Sequence, residues 1–107
     1  MAHPRDLRSL AEFQALASSN AKVIVDFHAE WCGPCKAIAP TYDALAAANP
    51  SIIFTRCDVD AAEDLAAFAE ISAMPTFKTY LNGTCTGTLQ GASKGELEKL
   101  VAALNAA

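Results

Sequence analysis

The sequence predicts a single α/β domain, with one mixed β-sheet of four or five strands and helices on both faces. Three observations carry that expectation. The β-branched run Lys22–His28 (KVIVDFH) leads through a helical-period stretch into a second strand-like run over residues 52–58, which is the pattern of a β-α-β unit with parallel strands and a right-handed crossover. Two further strand-like runs, residues 76–81 and 84–89, are separated only by Asn82-Gly83. Both positions of that dipeptide tolerate positive φ, so the pair reads as an antiparallel hairpin with a type I′ turn. Finally, the chain has 107 residues, of which 52% are hydrophobic and 19% charged, enough for one buried core and too few for two domains.

Taken in order, Leu7, Leu10, Ala11 and Gln14 follow helical spacing and predict a helix over residues 6–17, closed near Asn20-Ala21. Strand 22–28 follows, then a loop over residues 29–34 that contains Gly and Pro. Cys35, Ile38, Ala39, Tyr42, Leu45 and Ala46 repeat at helical intervals, with Pro40 expected to kink that helix and Asn49-Pro50 to end it. After strand 52–58, Asp60 and Glu63 read as a capping pair for a helix reaching about residue 71. Ser93 and Glu96 cap a last helix with Leu97, Leu100, Val101 and Leu104 on one face. The expected order is αβαβαββα.

Composition excludes several classes of function. The net charge of −4 gives no basic footprint for nucleic acid or anionic membranes. No stretch reaches the roughly 20 apolar residues that cross a bilayer, and the opening residues MAHPRD hold no apolar signal core. Four cysteines, Cys32, Cys35, Cys57 and Cys85, are too sparse for a secreted disulfide scaffold. A reducing, cytoplasmic compartment is therefore expected, with a monomer as the default, and in such a compartment paired cysteines are catalytic or metal-binding.

Chemistry concentrates at Trp31-Cys32-Gly33-Pro34-Cys35, a strand-to-helix junction. Cys32 stands at the helix N-terminus, where free N–H groups and the helix dipole favour a thiolate. Cys35 lies one turn along, within reach of Cys32 and farther in, and Gly33 and Pro34 set the turn. Such a pair supports disulfide exchange: Cys32 attacks a target disulfide, and Cys35 then attacks Cys32 and releases the reduced target. A structural zinc site would need two further ligands, and Cys57, Cys85, His3 and His28 form no second close pair. Asp26 lies mid-strand between Val25 and Phe27, so it is expected to be buried with a raised pKa. Pro75 starts a strand, where it need not donate to the ladder. Trp31 is the single tryptophan, suited to walling a site and touching substrates.

Residues 25–40, VDFHAEWCGPCKAIAP, resemble the signature of the thioredoxin family nearly residue for residue. Met74 to Phe77 (MPTF) is similar to that family's cis-proline segment, and residues 90–94 (QGASK) to its third groove loop. Gly-Pro between the cysteines differs from the Pro-Tyr of glutaredoxins and the Gly-His of disulfide isomerases. Met74 and the extra cysteines resemble the eukaryotic cytosolic members.

The resemblance implies a thioredoxin fold and a protein-disulfide reductase. It implies that Asp26 exchanges a proton with Cys35, and that the bond before Pro75 is cis, with the Met74 backbone pairing with a bound peptide as an added strand. Gly91 would let the substrate backbone approach. Arg56 stands where many bacterial members carry Lys near the buried Asp, and would lower its pKa if the two approach. His28 departs from the family pattern, and is either a tuning group near neutral pH or a polar strand end. No bound metal or organic cofactor is implied. Reducing equivalents would come from NADPH through thioredoxin reductase, and clients would include ribonucleotide reductase, peroxiredoxins and methionine sulfoxide reductases. Two rivals remain: a non-catalytic binding module that uses the groove around Trp31, Pro75 and Gly91, and an oxidase or isomerase. Cys57 and Cys85 lie outside the signature and read as small hydrophobes, with regulatory oxidation or disulfide dimerisation through Cys85, a hairpin position between two threonines, as the alternative.

Overall fold

The computed structural model describes residues 3–107. Met1 and Ala2, part of the expected signal-free start, lie outside the described residues. Among the described residues the elements are β1 (Arg5–Asp6), α1 (Leu10–Ser19), β2 (Lys22–His28), α2 (Gly33–Ala48), β3 (Ile53–Asp58), α3 (Glu63–Phe68), β4 (Thr76–Leu81), β5 (Thr84–Gln90) and α4 (Lys94–Ala106). They form a five-stranded mixed sheet in the order β1-β3-β2-β4-β5. β1, β3 and β2 run parallel, and β4 and β5 are antiparallel additions. The expected β-α-β unit is β2-α2-β3, and the expected hairpin is β4-β5, turned through Asn82 (φ 51°) and Gly83 (φ 84°).

Three expectations are corrected. The chain begins with a strand, because Arg5 and Asp6 pair with Thr55 and Arg56. Two exposed charged residues carry no hydrophobic period, so only the neighbour β3 makes them a strand. The first helix accordingly starts at Leu10, with Ser9 as its N-cap accepting the Glu12 N–H at 3.1 Å. The helix expected to reach residue 71 is shorter, Glu63–Phe68. Its N-cap is Ala62, which has no side-chain cap, and the chain leaves through Ala69 and Glu70, the latter at φ 58°.

Period-two alternation along β2 divides the core. Val23, Val25 and Phe27 pack with Phe13, Leu16, Cys57, Leu65 and Tyr80 under α1 and α3. Ile24 packs with Phe54, Phe77, Ile38, Tyr42, Leu97 and Val101 under α2 and α4. Burying each such large side chain contributes on the order of 1.5–3 kcal/mol. α2 is also tied to the sheet by a polar bond: the fully buried Tyr42 hydroxyl donates to the Thr55 carbonyl at 2.6 Å. Pro40 lies inside α2, which runs on to Ala48. Among the described residues no helix is long and apolar enough to cross a membrane.

Candidate active site

The loop after β2 delivers Cys32 as the N-cap of α2, with Gly33 and Pro34 in the first turn. Cys32 and Cys35 are joined by a disulfide, with their Cα atoms 5.3 Å apart. The Cys35 N–H donates to Cys32 Sγ at 3.1 Å. A sulfur at this position meets unpaired helix N–H groups and the positive end of the dipole, which stabilise the thiolate once the disulfide opens. Each cysteine is 5% exposed, and the two pack in a small cluster with Ala29, Val59 and Met74.

The rim is open. Trp31 is 69% exposed, and its Nε1 donates to Asp60 Oδ2 at 3.0 Å. Asp60 therefore holds the indole instead of capping α3, and its own N–H turns back to Asp58 Oδ1 at 2.9 Å. Gly33 and Pro34 are exposed, and Met74 is half-buried against the dithiol cluster. The Met74–Pro75 bond is cis. Gly91 has φ 99°, and its N–H donates to the Pro75 carbonyl at 2.9 Å, which joins the third loop to the proline. A Cβ at Gly91 would meet nothing within 4 Å, so the conformation favours glycine while the space beside it stays free.

Behind the disulfide lies a cavity of about 200 Å³ lined by Asp26, His28, Ala29, Glu30, Cys35, Lys36, Ala39 and Arg56. Asp26 is 2% exposed, and its Oδ1 has no hydrogen-bond partner among the described residues. Burial pushes its pKa from 3.8 up to about 7, against an opposing pull from Arg56 and a smaller push from Asp43. Arg56 faces Asp26 across the β2–β3 ladder. Its guanidinium does not bond Asp26, and instead pairs with Asp43 on α2. His28 is half-buried at the end of β2. Burial first, and Arg56 as a lesser cause, lower its pKa, while Asp58 chiefly opposes them.

These features coincide with those of known proteins. The thioredoxin family model matches residues 7–106. The chain belongs to the thioredoxin family. It is 45% identical over 93 residues to thioredoxin 1 of Plasmodium falciparum, a match covering 87% of this chain and 89% of that one. It superposes on oxidised mitochondrial thioredoxin 3 of Saccharomyces cerevisiae with a TM-score of 0.91 at 40% identity, covering 94% and 95% of the two chains. A chain from a structural study of thiol resolution in a yeast mitochondrial 1-Cys peroxiredoxin by the glutathione and thioredoxin systems matches with a TM-score of 0.92 at 38% identity, over 97% and 100%. As a thioredoxin, the protein is a protein-disulfide reductase whose oxidised form is returned to the dithiol by a thioredoxin reductase.

The two other cysteines of this thioredoxin stand apart from the dithiol. Cys57 is fully buried on the opposite face of the sheet, and burial pushes its pKa to about 12, the state of an inert hydrophobe. Cys85 is exposed on β5, with its sulfur 3.7 Å from the Gly87 carbonyl oxygen. Among the described residues no three His, Cys, Asp or Glu side chains gather where they could hold a metal ion. Sequence reasoning missed two carboxylates, Asp60 behind Trp31 and Asp43 behind Arg56. Asp43 has a legible signal, since Cys35, Ala39 and Asp43 recur at i+4 along one helix.

Proposed function

We propose that this thioredoxin reduces client proteins by a two-step exchange, with Cys32 as the attacking sulfur, Cys35 as the resolving sulfur and Asp26 as the proton carrier. The single observation that carries the reading is the disulfide seated on a helix N-terminus directly against a cavity that holds a buried carboxyl. In the reduced protein the Cys32 thiolate attacks one sulfur of a client disulfide. That S–S bond breaks, and the first client sulfur leaves as a thiolate. Asp26 takes the proton from the Cys35 thiol, and Cys35 attacks Cys32 Sγ. The mixed disulfide then breaks, the second client sulfur leaves and is protonated, and the client has gained two electrons that the Cys32–Cys35 pair has lost. A carboxyl with a pKa of about 7 suits this role, because it can accept or return a proton near neutral pH.

Client backbone would lie along Met74 and Pro75, with Gly91 leaving room for it and with Trp31, Gly33 and Pro34 forming the opposite rim. Arg56 and His28 act as modulators on the cavity side. Since the electrons reside on two sulfurs, no bound metal or organic cofactor is required, and NADPH acts through the reductase. Clients of the peroxiredoxin class are supported by the structural match to a chain from a peroxiredoxin-resolving system, and ribonucleotide and methionine sulfoxide reductases have the same disulfide chemistry. The cytosol is the favoured compartment, and mitochondria are the second reading because a matched yeast thioredoxin is mitochondrial.

The test is a redox titration of the Cys32–Cys35 pair in dithiothreitol buffers, read by Trp31 fluorescence. A midpoint below about −230 mV, the lower end of the glutaredoxin range, is expected of a reductase. A midpoint near about −180 mV would favour an isomerase, and no redox transition at all would favour a binding module.

A further inference from the structure

The cavity behind the disulfide holds a carboxyl and a cation that do not bond each other, and the reason lies on α2. Asp26 and Arg56 are register partners on adjacent parallel strands, so their side chains leave the sheet on the same face. Both line the cavity. The Arg56 guanidinium is nevertheless bonded through Nη2 to Asp43 Oδ1, with its carbon 5.9 Å from the centre of the Tyr42 ring. The Arg56 side chain is 26% exposed and that of Asp43 48%, so the pair sits at the solvent edge of the cavity, while Asp26 lies 2% exposed within it. α2 is tied to the β3 backbone beside this pair by the Tyr42 hydroxyl, which donates to the Thr55 carbonyl at 2.6 Å.

We propose that Asp43 is a positioning residue for the dithiol chemistry: by holding Arg56 at the cavity mouth, it keeps that cation beside the Asp26 carboxyl rather than on it. The consequence is a proton affinity. An opposite charge in contact with a carboxylate stabilises its ionised form, and one held at a distance does so less. With Asp43 in place, burial dominates and Asp26 stays protonatable near neutral pH. The other charged or titratable groups around Asp26 are His28 on β2, Glu30 in the following loop, and Cys35, Lys36 and Tyr42 on α2, while Asp58 on β3 pairs in register with His28 instead. β4 presents only Phe77 at this register position. Arg56 alone is the cation directly opposite Asp26 on the β2–β3 ladder.

The importance of this positioning for turnover rests on the reading of Asp26 as the proton carrier, and the experiment separates the two. The Asp26 side-chain carboxyl is titrated by NMR in the oxidised, disulfide-closed protein, where Cys35 does not titrate. Asp43→Asn is expected to lower the Asp26 midpoint by roughly one pH unit, Arg56→Gln to raise it, and Asp43→Glu to restore it. In the Arg56→Gln background, Asp43→Asn should shift the midpoint by less than half as much, because Asp43 then has no cation to hold. An equal shift in both backgrounds would make Asp43 a plain nearby charge and overturn the proposal, as would no shift in either. The pH profile of client-disulfide reduction by the reduced variants gives the second readout. A moved carboxyl midpoint with an unmoved rate profile upholds the positioning by Asp43 and refutes the proton-carrier role of Asp26.

Discussion

The two faces of the sheet share the same strands but are put to different uses. Toward α1 and α3, β2 presents Val23, Val25 and Phe27 to a continuous apolar cluster, and even Cys57 is absorbed there as a hydrophobe. Toward α2 and α4, the same strand presents Ile24 and then Asp26, and the packing stops at a cavity. Both faces contribute stability, and only the second also hosts chemistry. The reactive side is not the more polar one in general. It is an apolar layer interrupted at one register position, where β2, β3 and the first turns of α2 meet. Cysteine shows the same contrast, since the thiol type is constant and the surroundings decide whether it reacts.

The largest expected effect tests whether the reactive cysteines are truly separate from the buried one. Cys35→Ser should cut turnover of a protein disulfide by about 10³-fold or more and leave a stable Cys32 mixed disulfide, visible by mass spectrometry. Retained turnover would mean that Cys57 or Cys85 can resolve the intermediate, and the division between faces would fail. Next, Phe27→Ala on the apolar face should cost about 3–5 kcal/mol in urea unfolding. The Asp26 titration should not move. If it does, the two faces are coupled through β2.

Asp26→Asn sharpens the contrast from the other side. Because folding raises the Asp26 pKa from 3.8 to about 7, the stability this group contributes is fully present below about pH 4 and is lost as pH rises to 7. The Asn variant should lack that decline, and at pH 8 should exceed the wild type by at most on the order of 4 kcal/mol, measured as a difference in unfolding free energy across pH. Its rate of client release should fall near neutral pH. The smallest effect is expected from Tyr42→Phe, which removes the bond to the Thr55 carbonyl and should destabilise by about 1–2 kcal/mol without altering the redox midpoint.

Much of this was legible along the chain. The period-two run 22–28, the Asn82-Gly83 turn and the Ser93 cap are local signals, and each element formed where its own residues favour it. The dithiol could be placed because an N-cap and its first turn are also local. Legibility ended where a partner distant in sequence decides. Asp60 followed by Glu63 spells a capping pair, but the Trp31 indole claims the Asp60 carboxylate. Arg5 and Asp6 carry no strand pattern, and become a strand because β3 leaves an edge for them.

The order of elements from the first helix onward, the reactive pair and the burial of Asp26 follow from period, turn chemistry and helix-end electrostatics, which act over a few residues and can be read in a row of letters. Three features came from packing: the pairing of Arg56 with Asp43, the anchoring of Trp31 by Asp60, and the edge strand of Arg5 and Asp6 against β3. A charged side chain chooses among partners according to which elements the fold brings within a few ångströms, and that choice has no period in the sequence.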